Sequence, residues 1–288
     1  LDALPDWLAE SWRGTYGGAV AEAMAAAVQR EPMLDITVKD DPDGWAAALD
    51  AQRLPTGTLR RPIDGRIDAL PGFADGAWWV QDAAAALPVH LLGDVAGKTV
   101  VDLCAAPGGK TAQLVARGAN VIAVDRAAKR VKRMQANLAR LRFAATCVTG
   151  DAASWRPSIA ADAVLLDAPC SATGTVRRHP DIPWLKGAGD VAKLAGLQDK
   201  LLDAALAIVK PGGLVVFCTC SLEMAEGPAR IAALLGRNPS VERVAIDPAE
   251  IGGLADLVSP AGDLRTRPDH LADLGGLDGF FACRLIRR

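Results

Sequence analysis

The sequence predicts an α/β fold with a parallel, doubly wound sheet, preceded by a small α+β unit. Two observations lead to this prediction. From residue 78 onward, short apolar runs alternate with helical stretches, whereas the first 75 residues lack this alternation. Strands that alternate with helices in this way are typical of parallel sheets. We therefore divide the 288 residues into a small unit, 1–75, and a larger unit, 76–288.

The small N-terminal unit combines helical and strand patterns. Apolar positions at helical spacing begin at Trp7 and predict a first helix, and residues 19–29 predict a second. Residues 36–38 have the composition of a short strand, and residues 44–54 have that of a third helix. The boundary is expected near residues 70–72, where a Leu-Pro-Gly sequence interrupts the pattern.

The larger unit contains seven further predicted strands, most of them separated by helices. The strands are short apolar runs and lie at residues 99–103, 121–124, 144–148, 163–166, 214–218, 241–246 and 280–286. The helices have apolar positions three or four residues apart and lie at residues 110–116, 127–141, 191–209 and 225–235. Residues 78–80 lead into an alanine-rich helix that ends near Leu92.

Composition excludes several classes of protein. No apolar run approaches the roughly 18 residues needed to cross a bilayer, and the acidic N-terminus does not resemble a secretory signal. Six cysteines without a CxxC pair argue against a disulfide scaffold and a structural zinc site. We therefore expect reduced thiols, no metal and a cytoplasmic location. The net charge of −2, taken alone, disfavours a nucleic-acid partner.

A glycine-rich turn follows the first strand of the larger unit. Its sequence, CAAPGGKT, begins at Cys104 and lies where open parallel sheets bind ligands. A dinucleotide would require three spaced glycines, and a P-loop would require glycine in place of Cys104, although Asp167 resembles a Walker B aspartate. S-adenosylmethionine fits better. Asp125 follows the first strand at about the spacing expected of an acid that binds a ribose, and Asp151, at the end of the third strand, is placed to reach the adenine. The alternative is a tight turn among solvated acids.

Two cysteines follow neighbouring strands at the same edge of the predicted sheet. Cys170 and Cys220 lie just past strand ends, whereas Cys147 and Cys283 have the positions of small buried apolar residues. A thiolate beside a methyl donor indicates attack on C6 of a pyrimidine, since this attack allows the poorly nucleophilic C5 to accept a methyl group. Asp167 is placed to stabilise the adduct near N3 of the base.

Several long motifs resemble those of the RsmB-type (Fmu/Sun, NOL1/NOP2) family of RNA cytosine-C5 methyltransferases. They are DLCAAPGGKT, LLDAPCSATGTVRRHPDIPW and FCTCSLEMAEG, with LPGFADGAWWVQDAAA before the first strand and GFFACRLIRR at the end. The resemblance implies a Rossmann-like class I S-adenosylmethionine-dependent methyltransferase that acts on 16S rRNA. It also implies that Cys220 is the nucleophile and that Cys170 assists release of the methylated RNA. In DNA cytosine methyltransferases, by contrast, the cysteine of the Pro-Cys motif is the nucleophile.

The resemblance further implies a cofactor site and a domain context. The residues expected to bind S-adenosylmethionine are Cys104, Ala105, Ala106, Pro107, Gly108, Gly109, Lys110, Asp125, Asp151 and Asp167. Bacterial members typically carry a NusB-like helical RNA-binding domain ahead of a region like residues 1–75. These 288 residues contain no counterpart to that domain, which leaves open whether one precedes residue 1.

Basic residues are concentrated in two segments despite the near-neutral total. Residues 126–142 contain seven basic residues and no acid, whereas residues 1–60 contain five basic and ten acidic residues. A second cluster follows Cys170, in the loop through which a flipped base would enter. The predicted RNA-binding residues are Arg130, Arg133, Arg177, Arg178 and His179, with Arg60 and Arg61 extending the path. We therefore expect an RNA partner, no DNA or membrane partner, and a monomeric chain. In the same loop, Trp184 is expected to pack rather than to stack on a base.

Two other functions are compatible with the fold class. A P-loop nucleotide hydrolase would bind ATP rather than S-adenosylhomocysteine. A non-catalytic RNA-binding or assembly protein would bind RNA without transferring a methyl group. The presence of both Cys170 and Cys220 argues against the second alternative.

Overall fold

A computed structural model describes all 288 residues, and its first part contains two helices followed by a small antiparallel sheet. Its elements are α1 (Asp6–Tyr16), α2 (Gly18–Val28), β1 (Leu34–Val38), α3 (Pro42–Ala48), β2 (Gln52–Arg53), β3 (Leu59–Arg61) and β4 (Trp78–Val80). The four strands are ordered β2-β3-β1-β4. Their shared core consists of Leu34, Ile36, Leu49, Leu59 and Trp78.

The rest of the chain forms an eight-stranded sheet with helices on both faces. Its elements are α4 (Ala83–His90), β5 (Thr99–Leu103), α5 (Gly109–Ala116), β6 (Asn120–Asp125), α6 (Ala128–Arg140), β7 (Thr146–Thr149), β8 (Ala161–Asp167), α7 (Ile182–Leu185), α8 (Ala188–Ile208), β9 (Val209–Thr219), α9 (Pro228–Arg237), β10 (Val241–Arg243), β11 (Leu264–Thr266) and β12 (Phe280–Arg287). The order is β10-β12-β9-β8-β5-β6-β7, with β11 paired to β12. Strands β5 to β9 are parallel, and β12 is antiparallel to β9. The predicted Rossmann-like α/β fold is thus confirmed.

Both faces of the parallel strands are buried, which explains their continuous apolar runs. Val100 packs in a core with α4, α5 and α6, whereas the next residue, Val101, packs in a second core with α8 and α9. Helix α6 shows the matching helical pattern, because Val131, Met134 and Leu138 are buried while its basic residues lie outside that face. No helix combines the length and the apolar composition that crossing a bilayer requires.

The small sheet departs from the predicted boundary. Strand β4 pairs with β1, with Ile36 opposite Val80, so the boundary expected at residue 75 falls inside this sheet. A local pattern cannot reveal this pairing, since the partner strand lies about forty residues earlier along the chain. The predicted helix over 44–54 is also too long, because α3 ends at Ala48 and Asp50 has a left-handed φ of 48°.

The two N-terminal helices pack against loops of the larger unit rather than against the small sheet. Leu8 and Trp12 share a core with Val176 and Leu222, which follow β8 and β9. The Tyr16 hydroxyl donates to the Leu222 carbonyl at 2.6 Å, and the Ser11 hydroxyl donates to the Glu223 carboxylate. Helix α1 therefore supports the loops at the carboxyl ends of the central strands.

Candidate active site

The carboxyl ends of β5, β8 and β9 lie side by side, because these strands are parallel neighbours in the order β9-β8-β5. Cys104 follows β5, Cys170 follows β8, and Cys220 follows β9. The sulfur atoms of Cys170 and Cys220 are 3.5 Å apart, although the two residues are fifty positions apart along the chain. The sheet thus brings together the two cysteines that the sequence placed at strand ends.

A buried carboxylate, that of Glu226, holds the two cysteine loops together. It accepts hydrogen bonds from the Ser171 amide at 2.9 Å, from the Ser171 hydroxyl and from the Ser221 hydroxyl at 2.6 Å. Ser171 and Ser221 directly follow Cys170 and Cys220, so one side chain fixes both loops. This role of Glu226 was not predicted from the sequence, although the residue lies within the motif FCTCSLEMAEG.

A cavity of about 320 Å³ opens beside Cys220 and is called the central cavity here. Its charged and sulfur-containing lining residues are Asp82, Asp102, Lys110, Asp167, Arg178 and Cys220. The Lys110 ammonium donates to Asp167 at 2.9 Å and lies 4.8 Å from the centre of the Phe280 ring. Although burial favours the neutral amine, the Asp167 carboxylate raises the pKa of Lys110 above its ordinary value, so Lys110 is a cation.

The cysteines around the cavity differ in their surroundings. A hydrogen bond with Cys220, reinforced by burial, raises the pKa of Cys170 well above its ordinary value. Burial, together with the Asp167 carboxylate, raises the pKa of Cys104 to about 12 and also raises the pKa of Cys218 well above its ordinary value. These three residues therefore remain thiols at neutral pH. Cys220 lines the central cavity and Cys170 does not, which makes Cys220 the sulfur that a ligand in the cavity meets first.

Asp102 is a buried carboxyl group that lacks part of its hydrogen bonding. Its Oδ2 accepts from the Thr111 hydroxyl at 2.6 Å, whereas its Oδ1 has no partner. Burial raises the pKa of Asp102 to about 7. A buried oxygen without a partner at the wall of a cavity fits a ligand that brings a donor, and the ammonium of S-adenosylmethionine is such a donor.

A second, narrow pocket lies on the other side of the glycine-rich turn. Cys104, Asp125, Arg130 and Asp151 line it. Asp125 is buried, and its carboxylate accepts from the amides of Ala106 at 3.2 Å and Ala127 at 3.1 Å. With Asp151, it supplies the acceptors that a ribose and an adenine require. The residues present thus fit S-adenosylmethionine lying across the turn between this pocket and the central cavity.

Two of the predicted RNA-binding arginines lie elsewhere than expected. Arg130 ion-pairs with Asp125 and donates to the Ala106 carbonyl, so it belongs to the narrow pocket. Arg177 is buried, and its guanidinium donates to Asp82 at 2.8 Å and to Asp278 at 3.3 Å. A buried, ion-paired guanidinium cannot reach a phosphate, so the structure corrects the prediction for Arg177.

The same correction applies to Arg60, which is buried and bonded to the Asp35 carboxylate at 2.6 and 2.7 Å. Arg178 donates to Asp278 at 2.7 and 2.5 Å, but its side chain is 37% exposed and reaches the central cavity. Arg133 and His179 are exposed. Of the residues predicted to bind RNA, only these last three have accessible side chains outside the narrow pocket.

Trp184 does not pack as predicted. Its side chain is 67% exposed on the short helix α7. The loop is held instead through its backbone, because the Trp7 indole donates to the Pro183 carbonyl at 3.1 Å. The sequence shows that a tryptophan is present in this loop, but it does not show which tryptophan supplies the support.

Comparisons with known proteins identify related sequences. The family described as 16S rRNA methyltransferase RsmB/F matches residues 89–286. Ribosomal RNA small subunit methyltransferase B of Vibrio cholerae is 46% identical over 199 residues, which make up 67% of this chain and 45% of that protein. The protein of the same name from Salmonella arizonae is 37% identical over 298 aligned positions, covering 99% of this chain and 66% of that protein. The chain therefore spans less than two thirds of the length of these relatives.

Solved structures are similar over the whole chain. PH0851 has a TM-score of 0.89 and 28% identity, and the match covers 99% of this chain and 66% of that chain. NSun6 from Pyrococcus horikoshii, solved with SFG, has a TM-score of 0.83 and 18% identity, and the match covers 100% of this chain and 99% of that chain. The latter similarity concerns the fold alone.

Proposed function

The chain belongs to the RsmB/F family of 16S rRNA methyltransferases, and from this premise we propose that it is a cytoplasmic enzyme that methylates C5 of a cytosine in 16S rRNA. The methyl donor is S-adenosylmethionine, the cofactor of this family. The observation that carries the proposal is the pair of cysteine sulfurs 3.5 Å apart beside a cavity that Lys110 and Asp167 line. This arrangement supports covalent catalysis on a pyrimidine, because one sulfur faces the cavity and the second lies directly behind it.

In the proposed reaction the Cys220 thiolate attacks C6 of the cytosine and forms a carbon–sulfur bond. The electron pair displaced from the C5–C6 double bond makes C5 a nucleophile, which then forms a bond to the methyl group. S-adenosylmethionine, when bound, would supply that methyl group as an electrophile, and its methyl–sulfur bond would break with the electrons going to the sulfur of the departing S-adenosylhomocysteine. A base then removes the C5 proton, the double bond re-forms, and the carbon–sulfur bond breaks with its electrons returning to Cys220.

The charged residues of the central cavity support this assignment. Asp167 is proposed to contact the base near N3, and its orientation is set by Lys110 at 2.9 Å. Lys110 and Arg178 line the same cavity as Cys220, so two cations lie in the cavity where negative charge develops on the adduct. Cys170 is proposed to assist release of the methylated RNA, since its protonated sulfur lies 3.5 Å from the departing thiolate.

The experiment that tests this proposal is methyl transfer from labelled S-adenosylmethionine to a 16S rRNA transcript, followed by digestion to nucleosides. We expect label in 5-methylcytidine. Bisulfite sequencing of rRNA and tRNA from cells with and without the active enzyme then locates the cytosine. Label in another nucleoside, or in tRNA alone, contradicts the proposed substrate.

A further inference from the structure

A groove of about 580 Å³ adjoins the central cavity and has no part in the reaction described above. Four parts of the chain form its walls: the segment that leads into and includes β4, the glycine-rich turn with the start of α5, the C-terminal half of helix α6, and the loop after β8. Its polar lining residues are Arg133, Asn137, Arg140, Arg178 and His179, and it is called the basic groove here. Its volume lies within the range of about 300–1,000 Å³ that is typical of sites for small ligands.

The charge of the basic groove is positive and partly free. No aspartate or glutamate lines it. Arg140 is engaged, because its guanidinium donates to the Phe73 carbonyl at 2.7 Å and to the Trp78 carbonyl at 3.1 Å. The side chains of Arg133 and His179, in contrast, are exposed and make no hydrogen bond or ion pair. Arg140 thus fixes the wall, whereas Arg133 and His179 remain available to an anion.

An apolar boundary separates the basic groove from the central cavity. Val80 and Pro107 line both depressions, and the Val80 side chain is 48% exposed at the end of β4. When two neighbouring bases of an RNA strand enter separate depressions, they lose their stacking on each other. An exposed apolar residue between the depressions can contact both bases and replace part of that stacking.

We propose that the basic groove binds the nucleotide adjacent to the target cytosine. Val80 and Pro107 then stand between the two bases, and Arg133 and His179 contact the phosphates of the neighbouring nucleotide. The proposal rests on the proposed function for its choice of RNA. Three observations support it: continuity with the cavity that holds Cys220, the exposed side chains of Arg133 and His179 without a carboxylate partner, and the apolar boundary.

Helix α6 provides a matched control for this proposal. Lys132 precedes Arg133 directly, is likewise exposed, and has no ion pair. Successive helical residues are rotated by about 100°, and Lys132 lines neither the groove nor the cavity. Arg133→Ala and Lys132→Ala therefore remove the same charge from the same helix, but only the first removes it from the groove.

The test measures binding of a 16S rRNA transcript by filter retention at several salt concentrations. Arg133→Ala is expected to weaken binding about five- to tenfold and to lower the slope of log K against log salt by about 0.7, which corresponds to one lost contact with single-stranded phosphate. Lys132→Ala is expected to stay within about twofold of the wild-type protein, because non-specific attraction alone changes. Equal effects of the two substitutions, or no effect of either, overturn the proposal.

A second measurement addresses the base. A labelled heptamer of uridines with a central cytidine is compared with the same heptamer carrying abasic riboses on both sides of the cytidine. Loss of a stacked base is expected to weaken binding about fivefold or more, and equal binding overturns the base contact.

Methyl transfer by the same wild-type preparation separates the two proposals. If the wild-type protein methylates the RNA but Arg133→Ala and Lys132→Ala bind it equally well, the proposal for the basic groove is wrong and the proposed function stands. If only Arg133→Ala loses RNA affinity but the wild-type protein transfers no methyl group, the proposed function is wrong and the proposal for the basic groove stands.

Discussion

The central cavity and the basic groove lie side by side and share Val80, Pro107, Gly109 and Arg178, yet they differ in charge. Three carboxyl groups and two cations line the central cavity, and each of them has a hydrogen-bond or ion-pair partner. No carboxyl group lines the basic groove, and two of its four basic side chains are unpartnered.

This difference separates two tasks. Bond-making chemistry requires groups that are held at fixed positions, whereas attraction of a polyanion requires positive charge that no internal carboxylate neutralises. Arg177 and Arg178 are neighbours along the chain that differ in their access to these depressions. The former is buried between two carboxylates, whereas the latter reaches both depressions.

The largest expected effect comes from the cysteine of the central cavity. Cys220→Ala is expected to lower methyl transfer more than about a thousandfold, since it removes the proposed nucleophile, while RNA affinity is expected to stay unchanged because the basic groove is intact. Denaturing gels with RNA that contains 5-fluorocytosine should show no adduct for Cys220→Ala and a persistent adduct for Cys170→Ala. A covalent adduct in Cys220→Ala would show that the roles of the two cysteines are assigned wrongly.

The next largest effect concerns the stability that the ion pairs of Arg177 and Arg178 contribute. Arg177→Met is expected to lower the free energy of unfolding by about 3–5 kcal/mol, because Asp82 and Asp278 lose a buried partner. Arg178→Met is expected to cost less, since its side chain is 37% exposed and Asp278 keeps Arg177. Urea denaturation measures both variants. If both variants lose the same free energy of unfolding, the distinction between a structural Arg177 and an accessible Arg178 is wrong.

A smaller effect should follow from the titration of Asp102 in the central cavity. Burial raises the pKa of Asp102 to about 7, and the negatively charged carboxylate binds an ammonium more strongly than the neutral acid does. The affinity for S-adenosylhomocysteine is therefore expected to rise about tenfold between pH 6 and 8 as the proton leaves. In Asp102→Asn this rise should disappear. Isothermal titration with S-adenosylhomocysteine between pH 6 and 8 measures these affinities. If the affinity of the wild-type protein does not depend on pH, Asp102 is not a cofactor contact.

The smallest effect is expected outside both depressions. Trp184→Ala should change the free energy of unfolding by less than about 0.5 kcal/mol, because two thirds of its side chain is exposed. Trp12→Ala, at a fully buried position beneath the same loops, should cost about 3–5 kcal/mol. Thermal or urea unfolding compares the two, and a large loss in Trp184→Ala would restore the packing role predicted from sequence.

Sequence reasoning predicted the fold class and the meeting of Cys170 with Cys220 for the same physical reason. Parallel strands place their carboxyl ends at one edge, so residues just past strand ends converge whatever their separation along the chain. The spacing of apolar residues is enough to identify those ends. Strand β4 escaped this reasoning because its pairing with β1 depends on a distant segment.

Whether a given arginine is buried in an ion pair or accessible to a ligand could not be predicted in this way. Arg177 and Arg178 are adjacent and chemically identical, and Asp82 and Asp278, which bury the first, lie 95 positions earlier and 101 positions later. Glu226 was missed for a related reason, since its role depends on Ser171, 55 positions earlier. Such partners become visible only when distant loops are brought together.

The packing of α1 on the loops after β8 and β9 also has a consequence for synthesis of the chain. The hydrogen bonds from Ser11 to Glu223 and from Tyr16 to Leu222 join residues 212 and 206 positions apart. A ribosome adding about 5–20 residues per second makes α1 about 10–40 s before these partners exist. During that interval Leu8 and Trp12 lack their contact with Leu222. Helix α1 is translated before the other helices described here, yet it is among the last to reach its final contacts, and the two cysteine loops gain its support only after β9 has emerged.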